Sequence, residues 1–214
     1  MSPLHPIFLN ILGRTPESGK VKTRLIPLLG AEGATKAHES LLTHVVHTGL
    51  TWCLGAGNRN ILLWCTPDTR HPFFDGLLPH NQRRLQPDGD LGVRLNHIAV
   101  SQLVNNQHVI LLGGDAASIT VKILDQTQAA LRHHDAIMAP TEDGGYALLA
   151  LSRYHAGLFQ KISWGTASVA EETRKFFSAM GWQWKELPMQ WDVDRPQDWQ
   201  RFEKLRLKHP SRRL

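Results

Sequence analysis

The sequence predicts a single α/β domain whose central sheet is mostly parallel and flanked by helices. Three observations carry that expectation. Short apolar runs alternate with longer segments of helical period, in the order strand, loop, helix, strand. The runs are apolar at consecutive positions, as in Val109-Ile-Leu-Leu112, which fits strands covered on both faces. At 214 residues with 42% hydrophobic content, the chain can bury one full core and is short for two.

Pro6-Ile-Phe-Leu-Asn-Ile-Leu12 reads as the first strand. It opens into Gly13-Arg-Thr-Pro-Glu-Ser-Gly-Lys-Val-Lys-Thr-Arg24, a Gly/Pro loop carrying Arg14, Lys20, Lys22 and Arg24. Backbone N–H groups and cationic side chains that converge after a strand suit a polyphosphate. The loop is not a Walker A motif, because five residues separate Gly13 from Gly19 and Val21 follows Lys20. Ala31 to Leu54 has helical spacing in Ala34, Ala37, Leu41, Val45, Thr48 and Trp52, and Gly55-Ala-Gly57 stops it. His38, His44 and His47 fall in this helix without a carboxylate partner pattern, so they read as structural or surface histidines. Asn60 to Thr66 is the second strand, closed by Pro67-Asp68.

Arg70 to Pro79 has no clear period and reads as a short irregular helix or loop, and Arg84 to Gln86 as a brief strand. Pro87-Asp-Gly-Asp-Leu-Gly-Val-Arg-Leu95 then leads into a helix whose buried face would hold Leu91, Leu95, Ile98, Ala99 and Leu103. Helix N-termini attract anions or ribose hydroxyls, which makes Asp90, Gly92 and Arg94 nucleotide-side candidates. Asp90 also serves as an ordinary helix cap. The central strand, Val109 to Leu112, ends on Gly113-Gly114 and delivers Asp115. In an open α/β sheet, ligands bind beyond the carboxyl ends of the strands, where a lone acid suits a divalent cation and its phosphate. The competing reading is a turn Asp that starts the next helix.

Thr120 to Arg132 is a helix, and Asp135 to Ala139 a strand ended by Pro140. In Thr141-Glu-Asp-Gly-Gly-Tyr146, a hairpin turn explains Asp-Gly-Gly without any function. Glu142 and Asp143 also present carboxylates to sugar hydroxyls or as a general base, with Tyr146 against a ring. A buried strand follows, then a helix from Ser168 to Met180, and Trp182-Gln-Trp184 alternates like an edge strand. In Trp191-Asp-Val-Asp-Arg-Pro-Gln-Asp-Trp199, Asp192 and Asp194 share one face if the segment is extended. Pro196 and Asp194 also make an ordinary start for the final helix. The functional reading is that one of these two acids closes a metal site with Asp115, since Mg²⁺ or Mn²⁺ needs oxygens from more than one direction.

The chain has 24 basic and 19 acidic residues, a net charge of +5. Arg201 to Leu214 holds six of the basic residues and one acid, so the rest is balanced at 18 against 18. The basicity is a C-terminal feature and not a groove, which argues against a nucleic-acid partner. The expected division is a domain over 1–207 and a basic tail over 208–214. Cys53 and Cys65 have neither metal-ligand spacing nor a disulfide framework and read as buried thiols. There is no N-terminal signal pattern and no run near the ~18 apolar residues of a membrane span. A cytoplasmic protein is expected.

Six motifs stand in order along nearly the whole chain: Gly19-Lys-Val-Lys-Thr-Arg-Leu25, Gly89-Asp-Leu-Gly-Val-Arg-Leu95, Leu112-Gly-Gly-Asp115, Glu142-Asp-Gly-Gly-Tyr146, Trp164-Gly-Thr166 and Asp192-Val-Asp-Arg-Pro-Gln-Asp198. Together they resemble the bacterial glycosyltransferases of GT-A fold known as radical-SAM/selenodomain-associated or arsenosugar-associated transferases. The resemblance implies a nucleotide-diphospho-sugar transferase fold, with Mg²⁺ or Mn²⁺ bridging the diphosphate of a nucleotide-sugar donor and a small-molecule acceptor nearby. By the same resemblance, Lys22 and Arg24, in the motif opened by Gly19, stand on the phosphate side, Asp115 on the metal side, and Asp143 at the sugar or as base. The related nucleotidyltransferases place an acid of a C-terminal Asp-x-Asp-x-Pro-x-Asp segment on the metal, which favours Asp194. Two departures are present: Gly114-Asp-Ala-Ala-Ser118 stands where the family has a Gly-Ser-Asp-Cys-Pro-like turn, and Arg195 where Thr is usual. The expected function is a metal-dependent glycosyltransferase. The alternatives are a nucleotidyltransferase that joins a nucleoside triphosphate to a phosphorylated acid or sugar and releases pyrophosphate, and a nucleotide-binding module without turnover.

Overall fold

A computed structural model describes residues 5–208. Seven strands, β1 (Ile7–Arg14), β2 (Arg59–Thr66), β3 (Arg83–Leu85), β4 (His108–Gly113), β5 (Ala136–Pro140), β6 (Tyr146–Leu151) and β7 (Trp184–Glu186), form one sheet in the order β3-β2-β1-β4-β6-β5-β7. Neighbours pair in parallel except that β6 runs antiparallel to both β4 and β5. The α/β expectation of a single, mostly parallel sheet therefore holds. The helices are α1 (Ile26–Cys53), α2 (Pro72–Asp75), α3 (Leu91–Leu103), α4 (Val121–Ala130), α5 (Val169–Ala179) and α6 (Pro196–Lys208).

Alternation along each strand sends its side chains into two cores. Ile110 and Leu112 of β4 pack under α1 and α4, with Leu42, Val46 and Leu124. Val109 and Leu111 face the other way, into a core with Leu95 and Ile98 of α3 and Phe177 of α5. Burial on both faces is why these strands read as unbroken apolar runs. A third cluster joins Leu25, Ala37 and Leu41 to Ala117, Val193, Trp199 and Phe202, and so seats α6 against the N-terminal part of α1, beside the end of β4. On the α3 side, buried Asn10 is fully engaged: it exchanges hydrogen bonds with Gln102 at 2.9 and 2.7 Å and accepts the Trp64 indole N–H at 2.8 Å.

Several local expectations shift. The first helix starts at Ile26 and not Ala31, but it is broken at Gly30, whose φ of 70° lies in the left-handed region. Trp182 is not in the edge strand: it is buried and stacks on Phe177 at 5.5 Å, and β7 begins at Trp184. Leu91, expected on the buried face of α3, is exposed. Cys65 is buried, whereas Cys53, near the end of α1, is only half-buried. The expected tail lies outside the described residues beyond position 208, and α6 continues through Lys208. No helix among the described residues is long and apolar enough to cross a membrane.

Candidate functional site

The chain leaves β1 for β2 on one side and returns to β4 on the other, so the crevice beyond the ends of β1 and β4 is the topological switch point of the sheet. Two segments meet there. From β1 comes the basic loop; from β4 comes Gly113-Gly114-Asp115. A side chain at Gly114 would lie 2.6 Å from the Leu12 carbonyl, so the absence of a Cβ lets the turn close onto β1. Lys22 sits in the left-handed region (φ 44°, ψ 43°), and its ammonium donates to Asp115 Oδ2 at 2.6 Å. The Lys22 side chain is 9% exposed and that of Asp115 37%. Burial works against both charges, but each overcomes it through the other's charge and their hydrogen bond: Lys22 is held above its ordinary value and Asp115 below. Arg24 pairs with Asp194 across the same rim. His38, on α1, donates from Nε2 to the Arg14 carbonyl at 2.8 Å and lines the crevice, and burial holds its imidazole below the ordinary value.

The segment before α6 supplies the remaining acids. Gln190 bridges Thr141 in parallel, and the Val193 N–H donates to the Asp115 carbonyl at 3.3 Å. That docking brings Asp192 under the influence of Asp115 and Asp143. Burial first, then those two charges, push Asp192 up to about 6 against the pull of Lys22. Asp143 Oδ1 accepts from Thr141 Oγ1 at 2.6 Å and from the Gly145 N–H at 3.1 Å, so the carboxylate is fixed by its own hairpin. Glu142 is exposed and accepts from Arg201 Nη1 at 3.0 and 3.1 Å, while the Arg201 guanidinium lies 4.3 Å from the centre of a Trp191 ring. Tyr146 meets Trp164 edge-on at 6.4 Å, and burial pushes its hydroxyl up, so it stays a neutral phenol.

These side chains line two adjoining hollows. A basic one of about 480 Å³ holds Arg14, Lys20, Lys22, Arg24 and Asp115. An acidic, aromatic one of about 680 Å³ holds Glu142, Asp143 and Asp192 with Tyr146, Trp164 and Trp191. Arg24 and Asp194 belong to both. The structure thus gathers Arg14, Lys22, Arg24, Asp115 and Asp194 in one place and Glu142 and Asp143 in the next. Asp90, Gly92 and Arg94 are not among them. Asp90 caps α3 by accepting from the Val93 N–H, and Gly92 gives passage to Trp164, whose Nε1 would lie 2.5 Å from a Cβ there. Asp90 and Gly92 line a separate hollow of about 360 Å³. Arg94 turns to the Gly89 carbonyl and Gln86. Gly19 supplies a turn with φ of 75°. Among the described residues, no three or more His, Cys, Asp or Glu side chains form a group able to hold a metal ion.

Two residues were not singled out by spacing. Asp192 stands beside Asp194 in the sequence and the resemblance favours Asp194; the structure pairs Asp194 with Arg24 and places Asp192 under the charges of Asp115 and Asp143. His38 gave no signal beyond its place in a helix.

Residues 50–166 match the model of a family described as "Uncharacterized protein conserved in bacteria (DUF2064)". No curated protein sequence matches the chain. Among solved structures, a candidate nucleotide-diphospho-sugar transferase from Desulfovibrio desulfuricans G20 is similar with a TM-score of 0.79 and 25% identity, over 89% of this chain and 83% of that one. A CMP:2-keto-3-deoxy-manno-octonic acid synthetase solved with CTP matches at TM-score 0.62 and 14% identity, over 94% and 98%. The 4-diphosphocytidyl-2C-methyl-D-erythritol synthase of Anaerococcus prevotii DSM 20548 matches at 0.60 and 11%, over 95% and 96%. The fold is that of the nucleotide-diphospho-sugar transferases and cytidylyltransferases.

Proposed function

The chain belongs to the DUF2064 family of bacterial proteins, and on that premise we propose that it is a metal-dependent glycosyltransferase, moving a sugar from a nucleoside-diphosphate donor to a small hydroxyl-bearing acceptor. The observation that carries this reading is the change of charge between the two hollows where they meet at Arg24 and Asp194. The first sets Arg14, Lys20, Lys22 and Arg24 against Asp115 and Asp194, a net positive lining that suits a diphosphate. In the second, Glu142, Asp143, Asp192, Asp194 and Asp198 outnumber Arg24 and Arg195, so a phosphorylated acceptor is repelled. Tyr146, Trp164 and Trp191 give it flat apolar faces suited to the C–H face of a sugar ring.

In place of the expected Asp115 and Asp194, Asp115 and Asp192 are the acids that would hold a divalent cation, since Asp194 is paired with Arg24 while Asp192 feels the charge of Asp115. They are hard oxygen donors whose charges oppose one another, and Mg²⁺ or Mn²⁺ commonly takes one or two carboxylates and fills its shell with phosphate oxygens and water. When bound, the ion supplies neutralisation of the diphosphate. Lys22 and Arg24 meet the charge that develops on the departing nucleoside diphosphate. Net transfer forms a bond from the acceptor oxygen to the anomeric carbon and breaks the bond from that carbon to the diphosphate, which leaves with the electron pair. The hydroxyl proton passes to Asp143, whose Oδ1 is tied to its hairpin while Oδ2 is left to the acceptor.

Four cations also suit a triphosphate, which favours as second reading a nucleotidyltransferase releasing pyrophosphate. A panel of nucleotide sugars and nucleoside triphosphates with Mn²⁺ or Mg²⁺, read in parallel for nucleoside diphosphate and pyrophosphate, separates the two. The expected product is a nucleoside diphosphate from a nucleotide sugar. Arg24→Ala should weaken diphosphate binding by roughly 10–100-fold, the loss of one charge-assisted contact. Asp143→Asn should spare that binding and lower transfer. Pyrophosphate from a triphosphate, with no diphosphate from any nucleotide sugar, would replace the first reading by the second.

A further inference from the structure

The turn after Asp115 ends in Ser118, and its hydroxyl is engaged, both as donor and as acceptor, by the backbone of one residue 73 positions away. Ser118 Oγ donates to the Trp191 carbonyl at 2.7 Å and accepts from the Trp191 N–H at 3.0 Å. A single side chain thereby does what a strand does in a bridge, satisfying both polar groups of its partner. Trp191 immediately precedes Asp192, and the next bond in the same seam is the Val193 N–H to the Asp115 carbonyl at 3.3 Å. Below the seam, Ala117 and Val193 are buried together in the cluster that seats α6. Ser118 itself lines neither of the two hollows. With both its hydrogen-bonding roles taken by main chain, it is not a nucleophile or a ligand contact.

We propose that Ser118 is a positioning residue: its hydroxyl locks the segment carrying Asp192 against the turn carrying Asp115 and so sets the spacing of the two carboxylates. This rests on the reading of those two acids as the metal pair. The physical reason is that Asp192 sits on a stretch with no regular secondary structure, between β7 and α6. Two mutually repelling acids drift apart on such a stretch unless the backbone on either side is held. Main chain holds the Val193 side, and Ser118 holds the Trp191 side.

The test is calorimetric titration of Mn²⁺ into the full chain saturated with inorganic pyrophosphate, together with the melting temperature of the metal-free protein. Ser118→Ala should weaken Mn²⁺ binding about 10-fold or more, the usual size for a residue that orients a metal ligand. Metal-free pyrophosphate binding should stay within about 2-fold, since the cations of the basic loop are untouched. Ser118→Thr, which keeps the hydroxyl, should restore most of the Mn²⁺ affinity. If Ser118→Ala does not fold, Ser118→Cys replaces it, keeping the volume while weakening the bond. A lowered melting temperature with unchanged Mn²⁺ affinity, or a loss that Ser118→Thr does not rescue, overturns the proposal. Asp192→Asn run alongside separates the two levels. If it abolishes Mn²⁺ binding while Ser118→Ala does not, only the role of Ser118 fails; if it leaves Mn²⁺ binding intact, the metal pair fails and the proposal with it.

Discussion

Burial beside Asp115 and Asp143 pushes the Asp192 carboxyl up to about 6 from 3.8. Between those values the folded protein holds a proton that the unfolded chain has released, so this group's contribution to stability falls as pH rises through that window. Above it, the whole cost is present. Asp192→Asn removes the charge and with it the cost. In metal-free buffer the variant should therefore melt higher than the parent at about pH 7.5, by about 2–4 °C for about 1 kcal/mol once solvent screening of a half-exposed group is allowed for. The gain should vanish near pH 4, where the parent's carboxyl is protonated. Melting curves at the two pH values check this, and an equal gain at both would show that the carboxylate carries no such cost. Lys22 is the opposite case, a left-handed non-glycine residue whose ammonium is secured by Asp115. The sequence named Lys22 and Asp115 because each follows a strand. Spacing alone does not separate Asp192 from Asp194, since it gives a shared face only in an extended chain and this segment is irregular, and the resemblance favours Asp194.

The β5–β6 hairpin shows how an element can be legible while its consequence is not. Asp143-Gly144-Gly145 reads as a tight turn, and it is one, with the Thr141 N–H donating to the Gly145 carbonyl at 3.0 Å. What the turn does is insert β6 between β4 and β5, and apolar runs alone do not reveal strand order. It also docks on the start of α5, just after the Trp164 loop, since the Gly144 carbonyl accepts the Ala170 N–H at 3.0 Å. Glu172 holds that loop from α5, accepting from the Ser163 N–H at 2.6 Å and from Ser168 Oγ at 2.8 Å. Gly144 has a φ of 90°, and a Cβ there would collide with the Ala167 carbonyl. Gly144→Ala combines a left-handed penalty with overpacking against backbone, for a cost of about 2–4 kcal/mol. The melting temperature should fall by roughly 5–15 °C. A fall under about 2 °C would mean that the loop yields and is not a fixed wall of the acidic hollow.

At the scale of the molecule, the crevice at the candidate site is closed by α6, which packs Trp199 and Phe202 against α1 and reaches back through Arg201 to Glu142 and Trp191. The lining of both hollows ends at Asp198, well before the last described residue. The positive net charge, by contrast, comes from the C-terminal stretch, where Arg212 and Arg213 lie beyond position 208. Charge arithmetic on the sequence alone already separated that stretch from a balanced body, and the position of the basic loop agrees with it: the cations that line the basic hollow follow β1. Removal of residues 209–214 should therefore leave pyrophosphate affinity within about 2-fold of the parent at moderate salt, where long-range attraction between exposed charges is largely screened. At low salt the truncated chain should bind more slowly, since long-range steering scales with net charge. Calorimetry and stopped-flow binding at two salt concentrations measure both. A tenfold loss of affinity at moderate salt would show that residues beyond 208 contribute to the basic hollow directly, and that the crevice built by residues 5–208 is not the complete phosphate site.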